Sequence, residues 1–168
     1  MIIKISNLSE GLHGFEFTEK ASELDLGEPF FGNIEVKADL NKMHSQIILQ
    51  AEIAAQVKFS CDRCTKNFEK TLSSAYKMVY LFGSGWEENN DVNITFLSPE
   101  ADKIILDNDV RDYALLSVPM KKLCKEDCKG LCSGCGKDLN EEKCNCPKDA
   151  TDERWLPLME LKNKINTN

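Results

Sequence analysis

The chain has 168 residues, 42% of them hydrophobic, enough for the core of one ordinary domain with a small appendage. It has no run of 18 apolar residues, and its start, "MIIKISNLSEGLHGF", has no secretory pattern; no membrane association is expected, and the expected location is the cytoplasm. A formal charge of −7 argues against a simple chain-wide electrostatic grip on nucleic acid and leaves only local basic windows for such contact.

In chain order, the first thirty residues are mixed, and "GEPFFGN" reads as a loop. In "IEVKADL", Ile34, Val36, Ala38 and Leu40 share one face. In "QIILQAEIAAQVKFS", Ile47, Leu49, Ala51, Ile53, Ala55, Val57 and Phe59 take every second position, the pattern of a long half-buried strand. "NKMHS" between the two fits a hairpin connection. A third run places Phe68, Leu72, Tyr76, Met78 and Tyr80 on even positions, so Cys61 and Cys64 fall in a turn between antiparallel strands. "GSGWEENND" reads as a loop and "VNITFL" as a short strand. The period then changes in "LDNDVRDYALLSVPM". Asp107 or Asn108 is placed to cap a helix over about 108–118, with Val110, Tyr113, Ala114 and Ser117 on one face and Pro119 as its end. In the tail "DERWLPLMELKNKIN", Pro157 with Leu158, Leu161 and Ile165 predicts a short terminal helix. The fold class is α+β: an antiparallel β-sheet or small barrel, one main helix, a zinc-knuckle region and a short C-terminal helix. The expected divisions are a β-rich core over 1–120, a cysteine-rich zinc-binding segment packed on it over 121–150, and a terminal helix or tail over 151–168.

Six of the eight cysteines lie in "LCKEDCKGLCSGCGKDLNEEKCNC"; the other two lie in "FSCDRCTKNF". A reducing compartment favours metal over disulfides for such a set. Cys132-Ser133-Gly134-Cys135-Gly136 is a C-x-x-C-G knuckle, in which two thiolates take two tetrahedral positions and the glycine permits the tight turn. Cys144 and Cys146 complete a structural zinc site with Cys132 and Cys135. Cys61, Cys64, Cys124 and Cys128 can form a second, the latter two lying one helical turn apart. Spacing leaves this partition open: Cys128 could instead join the downstream cluster, with Cys61 and Cys64 outside any site. The count is one or two structural zinc ions, and two four-thiolate sites would take the charge to about −11. No usual ferredoxin spacing is present.

Catalysis has no foothold. The two histidines, His13 and His44, stand outside any metalloenzyme motif and read as loop or surface residues. Four thiolates leave no open zinc position. Cys61-Asp62-Arg63-Cys64 lies between strands rather than opening a helix as a thioredoxin motif does. The protein is expected not to be an enzyme and to have no small-molecule substrate. Three roles remain: an RNA-associated factor, an acidic zinc-binding adaptor docking a basic protein, or a redox sensor that loses metal on oxidation. Two windows are locally basic. Lys58, Arg63, Lys66, Lys70 and Lys77 face Asp62 and Glu69 in one; Lys121, Lys122, Lys125 and Lys129 face Glu126 and Asp127 in the other. Such lysines can equally neutralise neighbouring thiolates.

The order of an alternating strand, "FSCDRCTKNFEKTL", the helix, "LCKEDCKGLCSGCGKDLNEEKCNC" and a closing "DERWLPLMELK" resembles the YceD family, the large ribosomal RNA subunit accumulation proteins of bacteria and plastids. The resemblance runs from about residue 30 onward and is strongest at Cys61, Arg63 and Cys64 and in the downstream cysteine block. It implies a non-enzymatic role in large-subunit biogenesis, promoting accumulation of 23S-type RNA. The implied partner is ribosomal RNA, a ribosomal protein or an assembly factor. Arg63, Lys66, Lys121 and Lys122 are then the candidate contacts with RNA or a partner. The alternative is an acidic zinc-binding adaptor that docks a basic ribosomal protein without touching RNA.

Overall fold

A computed structural model describes residues 1–83 and 93–146, together with Trp155, Pro157 and Leu158. The chain divides into two compact units, one of Met1–Cys61 with Lys66–Cys124, the other of Asp62–Thr65 with the residues from Lys125 onward. The loop expected at "GSGWEENND" falls almost wholly outside the described residues, as does the terminal helix apart from those three positions.

The first unit carries strands β1 (Ile2–Lys4), β2 (Gly11–Lys20), β3 (Phe30–Lys42), β4 (Gln46–Ser60), β5 (Asn67–Phe82), β6 (Ile94–Leu97) and β7 (Lys103–Ile105), and helix α1 (Asp107–Leu116). β2 to β6 form a five-stranded open sheet in sequence order, and β1 pairs with β7. The class is α+β, but the sheet is mixed: β2 to β5 are antiparallel and β6 joins β5 in parallel. Strand direction at a four-residue edge strand is set by the route of the chain, which local alternation does not encode.

Period-two patterning builds the core because register aligns it across strands. Leu40 pairs with Leu49, and Leu49 with Met78; Val36 pairs with Ile53; Ala38 pairs with Ala51, and Ala51 with Tyr76. Every apolar residue named for β3 and β4 is buried, and α1 lays Val110 and Ala114 on the same core. The β4–β5 ladder runs unbroken from Gln46–Leu81 to Ser60–Asn67, which delivers both strand ends to the Cys61–Lys66 turn.

Three expectations change. The mixed first thirty residues contain β2, whose inward positions Phe15 and Phe17 face Ala38 and Val36. His13 and Glu19 share that face and blur the alternation, so His13 lies on a strand and not in a loop, its Nε2–H directed at the Ser9 carbonyl. "FFGN" is a bulge within β3 rather than a loop, with Gly32 at φ 69° where the register shifts. α1 starts at Asp107, and Leu106 occupies the cap position without a side-chain cap. Leu106 is fully buried, so packing outweighs capping there; Asp107 and Asp109 still complement the helix dipole.

Under α1, Tyr76 stacks on Tyr113 at 4.7 Å, and the Tyr76 and Tyr80 hydroxyls are buried without a hydrogen-bond partner among the described residues. Burial, and next the Asp109 carboxylate, raise both phenols well above their ordinary range. Removing a buried hydroxyl that makes no bond lifts a desolvation cost. Tyr80→Phe is therefore expected to raise unfolding free energy by about 1 kcal/mol in urea titration; a loss of that size would show the hydroxyl to be bonded.

Candidate metal centres

Both C-x-x-C segments fold as the same turn. In the first, between β4 and β5, the Cys61 N–H donates to the Lys66 carbonyl at 2.9 Å, and Thr65 has φ 58°. In the second, the Cys132 N–H donates to the Lys137 carbonyl at 2.8 Å, and Gly136 has φ 73°. Each thus closes with an N–H to C=O bond five residues on and a left-handed residue just after its second cysteine. The geometry draws the two sulfurs together and turns backbone N–H groups toward them. In the downstream turn the Gly134 N–H points at the Cys132 sulfur at 3.4 Å, and the Cys146 N–H at the Cys144 sulfur at 3.2 Å. A Cβ at Gly134 would lie 3.3 Å from the Cys146 sulfur, a tight contact that would require the neighbouring side chain to give by a few tenths of an ångström.

Thr65 occupies the position that Gly136 fills downstream. A β-branched residue is strained in left-handed backbone. Its hydroxyl bonds the Cys64 carbonyl at 2.8 Å, and the fold holds it there. Thr65→Gly is expected to stabilise the protein by about 0.5–1 kcal/mol in thermal unfolding, strain relief outweighing glycine's entropy. A destabilisation would mean that the hydroxyl bond outweighs the strain.

The sulfurs gather into two fours. Those of Cys132, Cys135, Cys144 and Cys146 lie within 4.8 Å of one another, and so do those of Cys61, Cys64, Cys124 and Cys128. In the downstream group Cys132 and Cys144 are 3.3 Å apart, and Cys135 and Cys144 3.4 Å. Four sulfurs about 2.3 Å from one tetrahedral ion stand roughly 3.8 Å from each other. Both groups are therefore compact enough to close around a single ion. A four-iron cluster binds each thiolate to a different iron and needs them spread wider.

Electrostatics in the downstream group fit a shared cation. The Cys132 thiol is held down to about 6, first by the Cys135 backbone N–H, then by the Cys144 thiol and the Gly134 N–H. At Cys144 the Cys146 backbone N–H favours the thiolate, but the neighbouring thiols of Cys132 and Cys135 leave its pKa raised on balance. Cys146 is pushed up to about 12 by the thiols of Cys144 and Cys135. Sulfurs this crowded resist carrying four negative charges together, and a bound dication relieves that.

Cys124 and Cys128 come together on a tight turn, not on the expected helical turn; the Cys128 N–H reaches the Lys125 carbonyl at 3.2 Å. Two supporting residues carry no signal in the spacing. Asn140 directs its side-chain N–H at the Cys128 sulfur at 3.4 Å, while its carbonyl oxygen accepts the Lys129 N–H at 2.9 Å. Asp138 fixes that amide through a 2.7 Å bond. Arg63 donates from Nη1 to the Cys128 carbonyl at 2.6 Å. Arg63 is thereby a positioning residue for the cysteine turn. Of the other candidate contacts, Lys122 lies 5.3 Å over the Phe59 ring, the Lys66 backbone closes the first knuckle, and Lys121 is exposed.

A model of the family described as "large ribosomal RNA subunit accumulation protein YceD" matches residues 49–162, most of the chain and all eight cysteines. The chain belongs to the YceD family. Among curated YceD relatives is the "large ribosomal RNA subunit accumulation protein YCED homolog 1, chloroplastic" of Arabidopsis thaliana. It is 22% identical over 178 residues, covering 90% of this chain and 54% of that protein. The YceD chain described here thus spans about half the length of that relative. No solved structure matches it. Among the described residues no helix is long and apolar enough to cross a membrane.

Proposed function

We propose that this chain is a non-enzymatic factor of large ribosomal subunit biogenesis that promotes accumulation of large-subunit RNA. A structural zinc ion sits in each sulfur quartet, held by Cys132, Cys135, Cys144 and Cys146 and by Cys61, Cys64, Cys124 and Cys128. The family match across residues 49–162 carries the reading, because it spans both quartets. Four thiolates suit zinc, which accepts a tetrahedral sulfur set without redox change, and a closed set leaves no position for a reacting water. The zinc then acts as scaffold. Arg63, Lys66, Lys121 and Lys122 are the proposed contacts with RNA or a partner protein.

Deleting the gene in its native host is expected to lower large-subunit RNA relative to small-subunit RNA. The unaltered chain restores the ratio, and a chain with Cys132, Cys135, Cys144 and Cys146 all changed to Ser does not. An unchanged ratio after deletion overturns the proposal.

One observation favours a second reading, in which the chain is an acidic adaptor that docks a basic ribosomal protein. Arg63 is spent on the Cys128 carbonyl and Lys122 lies over Phe59, so two of the four cations already have internal contacts. Titrating labelled large-subunit RNA fragments at two salt concentrations separates the readings. Direct contact gives binding that weakens steeply with salt and weakens again in Lys66→Ala, Lys121→Ala.

A further inference from the structure

The two quartets use the same four ligands in opposite surroundings. Cys61, Cys64 and Cys128 are 2%, 3% and 1% exposed, and Cys124 is half-buried. In the other group Cys135 is exposed and Cys132, Cys144 and Cys146 are half-buried. A surface hollow of about 500 Å³ opens on that second group, lined by Cys135, Cys144 and Cys146 together with Lys137, Lys143 and Asn145. A small polar reagent in the hollow therefore meets three of the four ligand residues. In the first group three of the four cysteines are enclosed.

We propose that the exposed quartet, Cys132, Cys135, Cys144 and Cys146, is an oxidation site that releases its metal to peroxide, while the enclosed quartet keeps its own. The proposal rests on the zinc reading given above.

The chemistry balances with hydrogen peroxide as the oxidant. One thiolate, most accessibly that of Cys135, attacks a peroxide oxygen. The O–O bond breaks, hydroxide leaves and takes a proton from solvent, and the sulfur becomes a sulfenic acid. A second thiolate attacks that sulfur and forms an S–S bond. The sulfenic oxygen leaves as hydroxide and takes a second proton. Two sulfurs have given up two electrons, the peroxide has become two waters, and the cage, short of two ligands, lets its ion go. Cys144 is the favoured resolving partner, 3.4 Å from Cys135 and 3.3 Å from Cys132. These pairs need to close by only about 1.4 Å to reach disulfide length. A dithiol reductant returns the pair to thiols and the site to its metal-binding form.

The test begins with zinc per chain on full-length protein purified reduced, expected to be two. Excess hydrogen peroxide is then added with a zinc-sensitive dye, and samples are quenched with an alkylating agent for peptide mass mapping. One equivalent of zinc is expected in a fast phase, with the second slower by at least about tenfold, and disulfide is expected first among Cys132, Cys135, Cys144 and Cys146. Loss of both equivalents in one phase, or earlier oxidation of Cys61, Cys64, Cys124 and Cys128, overturns the inference and leaves the zinc reading intact. Fewer than two zinc ions at the start overturns the zinc reading itself and the inference with it. A Cys135→Ser, Cys144→Ser chain is expected to hold one zinc and to show the slow phase alone. Where that variant fails to fold, the mass mapping of the unaltered chain decides.

Discussion

Stripping metal with a strong chelator at neutral pH is expected to unfold the stretch from Lys125 to Cys146 and to leave the five-stranded sheet intact. The reason is the distribution of apolar burial. The first unit has a continuous core from β1 through α1, including Ile34, Leu40, Ile47, Leu49, Ile53 and Val110. In the second unit the buried residues among those described are Cys64, Cys128 and Gly130. Two thiols and a glycine supply almost no hydrophobic stabilisation. A segment of this size without a core depends on metal, and structural zinc in small domains contributes apparent binding free energies of about 10–16 kcal/mol. The readout is amide hydrogen exchange. Leu131, Cys132 and Leu139, whose N–H groups bond the carbonyls of Arg63, Lys137 and Gly130, are expected to lose protection on chelation. The ladder amides of β4 keep theirs. Retained protection at Leu131, Cys132 and Leu139 in fully metal-free protein would show that the segment folds without metal.

The second large effect is expected at Gly130. Its φ of 74° lies in the left-handed region, and a Cβ there would meet the Arg63 carbonyl oxygen at 3.0 Å and the Arg63 Cβ at 3.3 Å. The neighbouring backbone is pinned, because the Leu131 N–H bonds the Arg63 carbonyl at 3.1 Å and the Leu139 N–H bonds the Gly130 carbonyl at 2.9 Å. Relaxation would break one of these. Gly130→Ala should therefore cost about 2–4 kcal/mol, roughly half from the backbone and half from the contact. Gly136→Ala is the internal control. Its φ is 73°, but a Cβ there would meet nothing within 4 Å, so only the backbone cost of about 1–2 kcal/mol is expected. Metal retention against a competing chelator ranks the two variants, and equal losses would remove the Arg63 contact from the account.

The sheet was legible because burial follows a simple rule in β3, β4 and β5. Alternating Ile, Leu, Val and Ala from Ile47 to Phe59 admit one register that buries them all, and a one-residue slip would expose them. β2 was not legible, because the inward face that carries Phe15 and Phe17 also carries His13 and Glu19 at its ends. The downstream knuckle announces itself through Gly136. Its twin was only half visible, because Thr65 takes a backbone conformation that sequence rules reserve for glycine, asparagine and aspartate. The shared C-x-x-C-x-K pattern, with Lys66 and Lys137 at the same place, was the available signal. Arg63 illustrates a different limit. The sequence marks it as a candidate contact with RNA or a partner, and its 2.6 Å bond to the Cys128 carbonyl, 65 residues away, has no signal in the spacing. Asn140, twelve residues from the sulfur it supports, could not be paired with it by spacing at all.

Zinc per chain, measured by elemental analysis on protein purified under reducing conditions and repeated on Cys61→Ser, Cys64→Ser, tests the central claim most directly. Two ions falling to one is the predicted result. One ion in both samples would remove Cys61 and Cys64 from the ligands, and no metal with all eight thiols intact would contradict the account.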